Sequence, residues 1–104
     1  MAFPPSIRTF AAFAPRLDAA RTRVDELLRS MPRDATLENV RAQLAFAHGE
    51  TRGGARPSEA ALARLNFGMV AARELSDLDE ALTRELAALQ AFLDAWPADA
   101  KSSG

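Results

Sequence analysis

Apolar residues recur every three or four positions along almost the whole chain, the spacing of one face of an α-helix. The first series is Ile7, Phe10, Phe13, Leu17, Ala20, Val24, Leu27 and Met31. Pro15 interrupts it. Inside a helix, proline loses a hydrogen bond and clashes with the turn before it, whereas the first helical position tolerates it. The pattern predicts a first helix from Pro15 to Ser30, stopped by Pro32, with residues 5–13 as a short separate or kinked turn. A second helix is expected from Thr36, its N-cap, to His48, with the stripe Leu37, Val40, Leu44 and Ala47. Gly49 then serves as C′, and "HGETRGGARP" is a loop.

Ser58 is placed to cap a third helix running through Leu75, with Leu62, Leu65, Met69 and Ala72 facing inward. Ser76 starts the fourth, with Asp79 three residues on in a capping box. Leu78, Leu82, Leu86, Leu89, Phe92 or Leu93, and Trp96 continue it to Pro97. No run alternates like a strand. The expected fold is all-α, a small antiparallel bundle of about four helices, because short connections make neighbours antiparallel. We expect one helical domain over 1–97, with 1–14 an N-terminal extension and 15–97 the bundle, and a flexible tail at 98–104.

Composition narrows the functions. With 104 residues the chain makes one core and has little room for a deep catalytic cavity. Thirteen basic and 14 acidic residues leave a formal net charge of -1, so nothing drives it toward a phosphate backbone and nucleic acid is not the expected partner. Cysteine is absent, which removes disulfides, thiolate metal sites and a thiol nucleophile. Two prolines and Arg8 leave the first residues too short an apolar run for a signal sequence, and no stretch reaches the ~18 apolar residues of a membrane span. A cytoplasmic protein with no membrane partner is expected.

Catalytic constellations are missing. His48 is the only histidine, which excludes a Cys–His pair and paired-histidine zinc or di-iron sites. It precedes Gly49 at a predicted helix end, where a cation is favoured. No serine sits in G-x-S-x-G, and "RGGARP" lacks the P-loop frame. Carboxylate pairs such as Asp25/Glu26 and Asp77/Asp79 would need a cleft to shift their pKa values. The expectation is a binding protein without cofactor, metal or catalysis of its own.

The stretch "RLNFGMVAARELSDLDEAL", 64–82, raises the sharper questions. Gly68 stands inside a predicted helix, where it costs about 1 kcal/mol against alanine. It lies on a strip with Ala61, Leu65 and Ala72, narrow enough for another backbone to approach, from this chain or from a partner. Phe67 falls nearly opposite, between Arg64 and Glu74, and is either covered by the N-terminal segment or exposed as an interface anchor. Asp77 and Asp79 suit a helix first turn. With Glu74 and Glu80 they make an anionic corner, which is either a solvated cap or a dock for arginines.

Three segments of this chain resemble a known family. "RAQLAF" (41–46) follows Pro32, "ALARLNFG" (61–68) comes next, and "AARELSDLDEALTREL" (71–86) completes the order and spacing. The chain is similar over 25–90 to the immunity proteins that protect bacteria from a type VI secretion effector hydrolysing NAD(P)+. Two stretches depart: "GETRGGA" (49–55) is polar and glycine-rich where the family continues apolar, and "MAFPPSIRTFAAF" extends beyond the family's start. The resemblance implies an all-helical cytosolic binder that covers the NAD-binding cleft of a cognate toxin domain. The positions taken as candidates for that contact are Arg64, Phe67, Gly68, Glu74, Asp77, Asp79 and Glu80. Two other readings stay open: a self-associating adaptor, with Phe67 and the Ala61–Gly68–Ala72 strip as a homodimer seam, and an effector chaperone.

Overall fold

The computed structural model describes residues 7–96, and every regular element among them is helical. They are α1 (Phe10–Ser30), α2 (Ala35–Glu50), a 3-10 turn (Arg52–Gly54), α3 (Glu59–Leu62), α4 (Phe67–Glu74) and α5 (Glu80–Ala95). The all-α expectation holds. The expectations for residues 5 and 6, the stop at Pro97 and the tail 98–104 lie outside the described residues.

Side-chain pairs give the directions. Asp18 of α1 faces His48 of α2, and seven residues later Asp25 faces Arg41, seven residues earlier. The two helices are therefore antiparallel. Phe13 stacks on Phe92, Arg16 pairs with Glu85, and Arg23 with Asp79, so α5 also runs against α1. The shortest dimension of the molecule is 20 Å, two helix diameters, so the bundle is two layers thick. Between the layers lie Phe13, Leu17, Val24, Leu37, Val40, Leu44, Phe67, Leu75, Leu86, Leu89 and Leu93, almost without exposure.

Four boundaries differ from the periodicity, each for a physical reason. First, α1 begins at Phe10, capped by the Thr9 hydroxyl, which accepts from the Ala12 N–H at 3.1 Å, and Pro15 lies inside it. The missing proline N–H deprives the Ala11 carbonyl of its donor, but Ala11 is on the exposed side, where the carbonyl is open to solvent. Burying Phe13 and setting Phe10 against Trp96 offset the loss. Ile7 and Phe13, read above as part of an extension, belong to the common core.

Second, the N-cap of α2 is Asp34, not Thr36, with the Leu37 N–H donating to its carboxylate at 2.9 Å. The helix continues through Gly49 to Glu50 and ends at Thr51, whose buried hydroxyl donates to the Ala47 carbonyl. The positive φ of Gly53 and Gly54, +70° and +83°, then turns the chain.

Third, the predicted helix from Ser58 to Leu75 is two helices. Ser58 does cap α3, but the chain breaks at Leu65–Asn66. Leu65 and Phe67 are both buried, and two positions apart they would face opposite sides of one helix. The inward stripe of α4 is thus Phe67, Ala71 and Leu75, and Met69, predicted to face inward, is 57% exposed. Fourth, α5 is capped by Asp79, not Ser76, and residues 76–78 form the turn before it.

Candidate functional site

The α4–α5 corner is built around Asp79. Its Oδ1 accepts from the Leu82 N–H at 3.0 Å, the N-cap bond of α5. Its Oδ2 accepts from Arg23 Nε at 2.7 Å, which ties the corner to α1. Burial pushes the Asp79 carboxyl up, but the Leu82 and Ala81 N–H groups and the Arg23 guanidinium outweigh it and hold it below the usual carboxylate range. Asp79 is therefore committed inside the fold. Glu80 occupies the first turn of α5 and pairs with Arg84 one turn on. Asp77 precedes the cap instead of lying in the first turn, and it is exposed, as is Glu74 at the end of α4. Leu78, predicted to open the inward stripe of the fourth helix, is 43% exposed between these acids.

The other candidates separate into two kinds. Phe67 is fully buried and Gly68 is buried, so neither presents a side chain to solvent. Gly68 packs on α5: its N–H donates to Gln90 Oε1 at 3.3 Å, and the Gln90 amide donates to the Leu65 carbonyl at 3.2 Å. A second glutamine holds the same break from α2. Gln43 Oε1 accepts from the Asn66 N–H at 2.8 Å, and its amide donates to Asn66 Oδ1 at 2.7 Å. These two amides take over the backbone groups that the interrupted helix leaves open. Of the predicted homodimer seam, Ala61, Phe67 and Gly68 are buried within one molecule, whereas Ala72, also predicted to face inward, is exposed.

Arg64 is exposed at the far end of α4 from the acids, with its guanidinium carbon 4.5 Å from the centre of the Phe46 ring. Eight residues of helix put ~12 Å between these ends. The structure thus brings Glu74, Asp77, Asp79 and Glu80 together and leaves Arg64 apart. Sequence reasoning missed Met69 and Leu78 as surface residues and Phe46 as the partner of Arg64. The Asn66-Phe67-Gly68 step, once recognised as a helix start, would have put Met69 outward.

Among the described residues no three or more His, Cys, Asp or Glu side chains gather as a metal site would require, and no helix is long and apolar enough to cross a membrane. Among curated proteins and solved structures nothing matches the chain. A protein-family model, Tsi6, matches residues 14–95, from the second turn of α1 to the last residue of α5. That span takes in α2, the glutamine-held break and the acidic corner, so the match covers the whole helical framework and not one local motif. On that extent of agreement the chain belongs to the Tsi6 family of type VI secretion immunity proteins.

Proposed function

We propose that the chain neutralises a cognate secreted toxin domain, one that hydrolyses NAD(P)+ or a related substrate, by lying over its active-site cleft in the cytoplasm. The family match over 14–95 carries this reading. Charge supports it. A cleft that takes a phosphorylated dinucleotide is cationic, and the α4–α5 end of the bundle exposes Glu74 and Asp77, the Arg84-paired Glu80 and the apolar Leu78 between them in sequence. Asp79 shapes that face from behind, and Phe67 and Gly68 hold α4 in place. The chain acts as a plug and performs no catalysis.

The cognate toxin domain, to be sought in the reading frame next to this chain's, provides the test. Co-expression of the chain is expected to restore growth of cells making that domain. The triple variant Glu74→Lys, Asp77→Lys, Glu80→Gln is expected to weaken binding by more than ~2 kcal/mol in calorimetric titration. Asp79 is left intact because its reversal would unseat α5. Unchanged affinity of a folded triple variant removes the acidic face from the interface, and failure to rescue growth removes the reading itself.

A further inference from the structure

A groove of about 240 Å³ runs between α2 and the α3–α4 connection, lined by Asn39, Ala42, Gln43, Phe46, Arg64 and Leu65. Two of the segments that carried the family resemblance, 41–46 and 61–68, meet here. Gln43 and Phe46 come from the first, Arg64 and Leu65 from the second. The Gln43–Asn66 hydrogen bonds fix one wall.

Arg16, Arg21, Arg23, Arg41 and Arg84 each have a carboxylate within 4.0 Å. Arg64, like six other described arginines, has none among the described residues, but its guanidinium lies over an aromatic ring. The cation–π contact with Phe46, 4.5 Å from guanidinium carbon to ring centre, gives that guanidinium a local partner. A guanidinium in such a contact still has N–H donors free for a two-pronged bond to a carboxylate, and a side chain already in contact with a ring loses less rotamer freedom on binding. The ring beneath it is half-buried, so one edge remains for an apolar contact.

We infer that this groove receives an aspartate or glutamate side chain of the toxin domain on Arg64, with a neighbouring apolar group against Phe46. The inference rests on the immunity reading and adds an anchor outside the acidic face. A cation at one end of α4 and carboxylates at the other make the surface dipolar. A partner with the complementary pattern docks in one orientation, and like charges oppose the reverse one.

The probe is the purified cognate toxin domain, the one whose toxicity the chain relieves on co-expression. Arg64→Ala is expected to weaken binding about tenfold or more, and Arg64→Lys to restore only part, since a point charge lacks the planar fork. Phe46→Leu is expected to weaken it in the same direction. Because the chain has no cysteine, Ala42→Cys gives a unique attachment point for a photo-cross-linker in the groove. The adducts are expected on a toxin peptide bearing Asp or Glu. Circular dichroism confirms that each variant is folded. Full affinity of Arg64→Ala, or a complex that forms without cross-linking at position 42, overturns the inference and leaves the immunity reading standing. A dimer in light scattering that Arg64→Ala dissolves also overturns it, by giving the groove to a second copy. No binding by the unmodified chain overturns both.

Discussion

Gly68 and Gln90 approach so closely that a Cβ at position 68 would lie 2.9 Å from the Cβ of Gln90 and 3.4 Å from the Cα of Ala87. The obstruction is the root of a side chain and a backbone atom, neither of which moves cheaply. The glycine costs little in helix propensity because it sits at the second position of α4, not in mid-helix. In return, α4 and α5 come into near-backbone contact.

We predict that Gly68→Ala lowers stability by about 1–3 kcal/mol, since overpacking exceeds the helix-propensity gain. Gly49→Ala is the control. Gly49 lies in the last turn of α2 with nothing within 4 Å of a built Cβ. That change should stabilise by about 0.5–1 kcal/mol. Urea unfolding of the two variants checks the opposite signs.

Arg16 and Glu85 form a two-pronged pair, Nε to Oε2 and Nη2 to Oε1, both at 2.6 Å and with side chains 25% exposed. The pair ties α1 to α5. Partial solvent screening keeps it modest, and a double-mutant cycle with Arg16→Gln and Glu85→Gln should return a coupling of about 1 kcal/mol. A coupling near zero would show that the two helices are held without this pair, by Phe13 on Phe92, Phe10 on Trp96 and Arg23 on Asp79.

Asp79 sets an acid limit. Its folded-state pKa lies below the unfolded value, so the unfolded chain binds more protons and stability rises with pH through this range. The contribution is complete above about pH 4, the ordinary aspartate value, and disappears as pH falls through the folded-state pKa. Asp79→Asn keeps an N-cap acceptor but removes the charge that Arg23 meets. Stability of that variant, followed by urea unfolding between pH 2 and 6 in steps of about one unit, should show a shallower acid slope than the parent.

Met69 and Phe67 test the break at 65–66. Met69 is 57% exposed and Phe67 has no exposed surface. Met69→Gln should change stability by no more than about 0.5 kcal/mol, whereas Phe67→Ala should cost about 3–5 kcal/mol. An uninterrupted helix from 58 to 75 with Leu62, Leu65, Met69 and Ala72 inward would give the reverse order.

The aromatic cluster joins the ends of the described chain. Phe10 lies between Phe13 and Trp96, and Phe92 stacks on Phe13 with ring centres 4.8 Å apart. Trp96 ends α5 at φ +31°, a backbone conformation held by its contacts with Phe10 and Phe92. Phe10→Ala should shift the fluorescence of the single tryptophan to longer wavelength and loosen the contact between the start of α1 and the end of α5. An unchanged spectrum would mean that Trp96 is shielded by Phe92 alone.

Local information was enough for the helical class, for Ser58 as a cap, and for the buried stripes Phe13–Leu17–Ala20–Val24–Leu27, Leu37–Val40–Leu44–Ala47 and Leu82–Leu86–Leu89. Those depend on turn-by-turn repetition, which neighbouring residues carry by themselves. It also placed the four acids near one turn, because they are close in sequence. Which of them stays available was decided by Arg23, 56 residues away, which claims Asp79. Likewise, α1 passes through Pro15 because Phe92 and Trp96 receive the rings of Phe13 and Phe10. The third helix divides because Gln43 and Gln90 satisfy the backbone at 65–68, and that division turns Phe67 inward and Met69 outward. Helix periodicity is a local property of the chain, whereas the energy that overrides it comes from contacts that exist only once distant segments have packed together.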